Sequence, residues 1–264
     1  RPTSNEIEPV VKRAATRVIE ALGTATQDGG AADRLRDAGV SPDLADQAGA
    51  LVPPAAPAVV EVVYPQYGGL TTDRASVMAV VQQTWVSGAS TNSRTVTADV
   101  RLRRSGGAWS VTGLLVAEPT EVPSQTLTGT AGELAGLAGV ELPDAALADL
   151  AGDEVDDLVP DLLIQLASSF SFSVSVFRTG HPKRVFGSNR TSNHDRGRAV
   201  DIWAIDGRPV VTMATDDPTL LSFLEAARDL GSDEIGAPID PDGPGGVHFT
   251  DDVHRDHVHI GFEP

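Results

Sequence analysis

The hydrophobic period of this chain changes once in its first half, from helical to strand-like, and that change limits what the half can become. Residues 3–22 place Ile7, Val10, Val11, Ala14, Val18, Ile19 and Leu22 on one stripe of a 3.6-residue repeat. That pattern predicts an amphipathic helix, with Thr3 and Glu6 at capping-box spacing. Two short helices are expected next, one ending near Gly39 and one opening at Ser41-Pro42. From residue 58 the period is 2. Residues 58–66 are rich in valine, 76–87 contain Trp85, and 94–104 alternate through Val96, Ala98, Val100 and Leu102. Ser105-Gly106-Gly107 then turns the chain into 109–116. Helices followed by an antiparallel meander predict an α+β domain.

This element order resembles the nuclear transport factor 2-like (cystatin-like) cone fold. The half contains no histidine and no constellation suited to chemistry, so residues 1–119 read as an accessory domain for positioning or docking. PTEVPSQTLTGTA (119–131) is rich in Pro, Thr and Ser and marks a linker, taken as 120–130. Residues 131–264 form the second expected domain, also α+β, with a small antiparallel sheet. Helical stretches are expected near 131–138, 143–151 and 160–168. The acidic run 153–157 reads as a solvated helix start. FSFSVSVFR (170–178) alternates strictly, which predicts a strand with Phe170, Phe172, Val174 and Val176 inward and Arg178 ending that face. Residues 199–205 are a second strand. Asp217-Pro218 opens a helix through Leu230, and short strands are expected at 233–237, 246–250 and 257–262.

Composition removes several function classes. There is no cysteine, so disulfides, thiolate metal sites and cysteine nucleophiles are excluded. The net charge is −17, which disfavours nucleic acid and anionic membrane surfaces as partners. Residues 123–264 carry 24 of the 37 acidic side chains but 9 of the 20 basic ones. No apolar run approaches the roughly 20 residues that cross a bilayer. The basic residues are almost all arginine, and alanine and glycine abound, a bias typical of GC-rich bacterial genomes. The chain opens at Arg1 without an apolar signal core, so any export signal or anchor is expected to have been removed or left out.

All six histidines (181, 194, 248, 254, 257 and 259) lie in the second half, which places the chemistry there. The densest feature is Ser192-Asn193-His194-Asp195-Arg196-Gly197-Arg198-Ala199-Val200-Asp201, and its companion is Asp256-His257-Val258-His259. A catalytic zinc takes three N/O ligands and keeps one position for water. His194 at a loop end and Asp201 on the next strand can supply two, with Gly197 making a tight turn between them. His259 can close the set from a neighbouring strand. His181, His248 and His254 are expected at the surface or rim, and Trp203, two positions after Asp201, in the core or else lining a pocket.

Ser-x-His-x-x-Gly-x-Ala-x-Asp followed by a distant terminal His resembles the zinc D-alanyl-D-alanine carboxypeptidases. Their relatives include D,D-dipeptidases and phage L-alanyl-D-glutamate endolysins. The resemblance spans residues 170–264. It implies Zn²⁺ held by His194, Asp201 and His259, with Ser192 beside the site and Arg178 on the substrate carbonyl or carboxylate. It also implies a carboxylate base three positions before the last ligand, which is Asp256. Strand geometry instead puts His257 on the face of His259 and turns Asp256 away, so His257 stands as transition-state stabiliser or alternative base. The implied activity is hydrolysis of peptidoglycan stem peptides outside the cell or in its envelope, as carboxypeptidase or endopeptidase. The alternative is a non-catalytic, zinc-containing binding module of the envelope.

Overall fold

The structure, a computed structural model, describes residues 6–26, 29–120 and 122–263. It is mixed α+β and divides into two compact units, residues 8–120 and residues 122–263, with Glu6 and Ile7 grouped with the second. No helix among the described residues is long and apolar enough to cross a membrane.

The first unit opens with α1 (Pro9–Gly23). This helix starts later than the stripe suggests. Glu8 sits in the left-handed region at φ 44°, which ends a right-handed helix, and Pro9 fills a first-turn position that needs no N–H. Thr3, the expected cap, lies outside the described residues. Val11, Ala15, Val18, Ile19 and Leu22 are buried, whereas Val10 is exposed. Lys12 is buried too, its Nζ about 5 Å from the ring centres of Tyr64 (5.2 Å) and Tyr67 (5.0 Å). Helix α2 (Ala31–Asp37) ends at Gly39, at φ 71°, and the segment after Ser41 is a 3₁₀ turn (Pro42–Gln47). Strands β1 (Ala58–Leu70), β2 (Arg74–Ser87), β3 (Ser90–Ser105) and β4 (Ala108–Val116) form the antiparallel meander in order β1-β2-β3-β4.

The second unit contains α3 (Gly129–Ala135), β5 (Val140–Glu141), α4 (Asp144–Ala151), α5 (Leu158–Leu166) and β6 (Phe172–Val176). Then come β7 (Ala199–Ile205), β8 (Arg208–Pro209), α6 (Pro218–Asp229), β9 (Glu234–Gly236), β10 (His248–Phe249) and β11 (Val258–Gly261). Helix α5 begins before Pro160 because a first-turn proline is tolerated. The sheet runs β10-β9-β11-β7-β6-β5, with β8 beside β7. It is mixed, not purely antiparallel as expected. Two short strands, β5 and β10, return through crossovers and pair parallel to β6 and β9.

Alternation on the central strands assigns the two faces. Val200 and Ile202 of β7 and Val258 and Ile260 of β11 enter the core with Leu163, Leu220, Phe223 and Leu224 of the helices. Asp201 and His259, one residue out of phase, therefore stand on the opposite face. On β6 the expected phase is lost after Val174. Pairing with β7 shifts register twice, and Phe177 takes a core position. Arg178 consequently does not end the face of Phe172.

Candidate metal centre

Strands β7 and β11 are antiparallel neighbours, and His259 lies directly opposite Asp201. The loop before β7 supplies His194. Its turn is closed by Gly197 N–H donating to His194 O (3.0 Å) and Arg198 N–H donating to Asn193 O (2.8 Å). Gly197 has φ 70°, and a Cβ there would lie 2.2 Å from the Glu154 carbonyl oxygen, so the turn demands glycine on both counts.

Three ligand-type atoms meet here. His194 Nε2 lies 3.1 Å from Asp201 Oδ1 and 3.0 Å from His259 Nδ1, and His259 Nδ1 lies 3.0 Å from Asp201 Oδ1. Donors at a tetrahedral zinc stand about 3.4 Å apart, so a small expansion of this triangle would admit an ion. All three residues are buried. The opposite ring nitrogens have acceptors: His194 Nδ1 bonds Phe177 O, and His259 Nε2 faces Glu234 Oε2 at 3.5 Å. Such partners fix which nitrogen carries its lone pair inward. Glu234 also accepts from Asn193 and pairs with Arg190 at 3.3 Å. His181, His194 and Asp201 form a second grouping, ligand atoms within 4.8 Å of one another, and this His/His/Asp group could hold a metal ion.

The electrostatics are those of a cation site. Burial works against the charge of Asp201, but His194 and His257 nearby, and hydrogen bonds with His194 and His259, hold its carboxyl well below the usual range. Burial likewise opposes a charge on His259, yet Asp201 and Glu234 push it up to about 9. Glu234 is held down at about 2, against burial, chiefly by His259 and Asn193. A buried carboxylate, Asp201, and a half-buried one, Glu234, thus favour positive charge between them. A proton on His259 meets that demand, and a divalent cation would meet it better.

Of the other candidates, His257 and Ser192 stand beside this ring and Arg178 lies in a separate groove. His257 turns Nε2 toward the centre, 3.7 Å from Asp201 Oδ1, and bonds Asp256 Oδ1 through Nδ1 at 2.6 Å. Asp256 thus has one carboxylate oxygen engaged behind His257. Ser192 is buried, and its Oγ accepts from His194 N–H at 3.3 Å, which steadies the loop. Arg178 is paired with Glu154 and donates from Nε to Asp195 O at 3.2 Å. It lines an acidic groove with Asp153, Asp156 and Asp157, a groove whose lining does not include His194, Asp201 or His259.

Several residues depart from expectation. The acidic run 153–157 is not simply solvated: Glu154 pairs with Arg178, Asp156 pairs with Arg198 at 2.9 Å, and Asp156 N–H donates to Gly197 O at 2.8 Å. His181 takes the rim rather than the open surface: it is half-buried, and its ring stacks on His194 with centroids 3.8 Å apart. His248 is buried against Asp242 at 2.9 Å. His254, by contrast, stands at the rim, half-buried, 5.1 Å from His257 and 5.7 Å from His259, centroid to centroid. Trp203 is only half-buried and follows Asp201 on the site face of β7. Asp149 on α4 had no signal in the sequence. Its carboxylate accepts from the N–H groups of Arg178 (3.0 Å) and Thr179 (2.8 Å) and from Thr179 Oγ1 (2.5 Å). That anchors the strand exit whose Phe177 carbonyl holds His194.

Comparison with known proteins returned no relative: no family model, no curated protein and no solved structure matches this chain.

Proposed function

We propose that the second unit is a zinc-dependent peptidase of the D-alanyl-D-alanine carboxypeptidase type, acting on peptidoglycan stem peptides in the cell envelope. The observation that carries the reading is the triangle of His194 Nε2, Asp201 Oδ1 and His259 Nδ1, with sides of 3.0–3.1 Å, brought from a loop and two paired strands. The Ser192–Asp201 motif and its resemblance to that family supply the substrate class. His194, Asp201 and His259 would hold the ion, which when bound supplies Lewis acidity toward a water and the scissile carbonyl.

The chain's own residues would do the rest. His257 presents Nε2 on the inner side of the ring and takes the proton of the attacking water. Asp256 fixes the ring by holding Nδ1 and stabilises the imidazolium that forms, and His257 then returns the proton to the leaving amine. Arg178, once released from Glu154, is the guanidinium for a substrate carbonyl or carboxylate. The first unit would serve as a docking or positioning module.

One observation favours a second reading, a non-catalytic metal-containing binding module: Arg178 is occupied by Glu154. Metal analysis of the purified chain beside its His194→Ala variant, with digestion of peptidoglycan fragments read by mass spectrometry, separates the two. One zinc per chain, lost in the variant, with a defined mass loss from the fragments supports the peptidase. Zinc without cleavage supports the binding module, and no zinc in a folded chain refutes both.

A further inference from the structure

We infer that Trp203 contacts the substrate: its half-exposed indole forms the wall against which an aliphatic side chain beside the scissile bond is held. The inference deepens the peptidase reading and rests on it.

Strand β7 lies inside the sheet, between β11 and β6, and every residue of it but one is buried. The exception is Trp203, the largest of them. A tryptophan kept for stability alone would join Val200 and Ile202 in the core. The backbone instead aims it elsewhere. Ser173 pairs with Ala204 and Val174 with Ile202, so Trp203 is the extra residue of a β-bulge. Ile202 and Ile205, three positions apart, both enter the core, which strict alternation does not allow. The bulge takes up the odd residue and leaves Trp203 on the face of Asp201.

Two relationships put that indole beside the chemistry. Asp201 precedes it by two positions on the same face, about 6–7 Å along the strand. The β7–β11 register pairs His259 with Asp201 and Val258 with Ile202, and one step further sets His257 opposite Trp203. Opposite positions on paired strands hold their Cβ atoms about 4.5–5.5 Å apart. His257 turns Nε2 toward Asp201, at 3.7 Å, so the indole flanks the imidazole assigned to the attacking water. That imidazole becomes a cation during the reaction, which disfavours an ammonium beside it. An uncharged aliphatic group on the indole face meets no such repulsion and buries apolar area there.

Phosphinate analogues of a dipeptide, with alanine or glycine on either side of the phosphorus, bind without being cleaved. Calorimetry on the zinc-loaded full chain should find alanine favoured over glycine on one side by about tenfold or more, the worth of one small apolar group in an apolar site. Trp203→Ala should lose that preference. Emission gives a second reading, because Trp85 and Trp109 both belong to the first unit. The difference between wild type and Trp203→Phe isolates Trp203, whose emission should shift to the blue with a midpoint at the calorimetric Kd. An alanine preference unchanged in Trp203→Ala, or a bound analogue that leaves Trp203 emission unmoved, would overturn the inference while leaving the peptidase standing. The emission arm does not use Trp203→Ala, so poor folding of that variant does not obscure the result. If neither analogue binds the zinc-loaded chain, the peptidase reading falls and this inference with it.

Discussion

His259 faces Asp201 across the β7–β11 ladder, and their Nδ1 and Oδ1 atoms stand 3.0 Å apart. The pair is a consequence of strand register, so it is rigid, and only the third partner, His194, depends on a loop. Asp201→Asn keeps the shape of the side chain but removes the charge that holds the two imidazoles together. It should lower zinc affinity by about a hundredfold or more, the upper end of what loss of a supporting partner costs. Equilibrium dialysis against a zinc buffer measures this, and retention of wild-type affinity would remove Asp201 from the ligand set.

Gly197 should tolerate no other residue. Gly197→Ala incurs the left-handed backbone penalty, about 1–2 kcal/mol, and must also push back the Glu154 carbonyl, about 1–3 kcal/mol for an overpacked contact. A loss of about 2–5 kcal/mol in chemical denaturation is the expected sum. Zinc affinity should fall with it, because the same turn aims His194. A neutral substitution would mean that the acidic segment yields freely.

Asp149 acts on the centre through Phe177. Asp149→Ala leaves three part-buried donors of residues 178–179 without their acceptor, at a cost of about 1–3 kcal/mol in all. Asp149→Asn keeps one acceptor oxygen and should be milder. If Asp149 positions His194, zinc affinity should recover in the order alanine, asparagine, aspartate. Stability that changes while affinity stays constant would limit Asp149 to a structural role.

The roles of Asp256 and His257 can be separated by rate. His257→Ala should lower kcat by about 10²–10⁴ with zinc retained, the usual loss on removing a general base. Asp256→Asn should cost less, since it disturbs the orientation and charge of His257 without removing the group that faces the ring. The reverse order of effects would make Asp256 the base.

How far these residues could be read from the sequence follows from the range of each interaction. His194, Gly197 and Asp201 stand within one loop–strand segment, where spacing carries the geometry, and the alternation of β7 and β11 gives the site face. Beyond that range only the Asp256–His259 motif could be read. Glu234 reaches His259 only because β9 pairs with β11, and Asp149 reaches Arg178 from a helix. Arg178 was misplaced because bulges on β6 shift the phase, and a strictly alternating FSFSVSVFR gives no sign of them. His181 lies in a turn with no period at all, so its stacking on His194 was hidden. In the first half the period change was sufficient for the α+β class and the meander, while the buried Lys12 was masked by its neighbours on the apolar stripe.

The metal-stripped chain should have a stability maximum near pH 6.5. His259, pushed up to about 9 by Asp201 and Glu234 despite burial, and His257, also raised, hold protons that the unfolded chain releases near 6.5. Their contribution is therefore complete below pH 6.5 and is lost as pH rises through about 9. His181 and His254 are held down, first by burial, so they bind protons more readily when unfolded. Their contribution is present above pH 6.5 and is lost on acidification, and Glu234, at about 2, adds a further acid limb below its ordinary value of 4.5. Zinc replaces the proton of His259, so loading should shrink the alkaline limb, leaving the share of His257, and zinc affinity should itself rise with pH toward 9. Thermal denaturation of stripped and loaded chain from pH 5 to 9.5 tests this. An alkaline decline of equal size in both forms would show that the proton on His259 and the metal do not share one site.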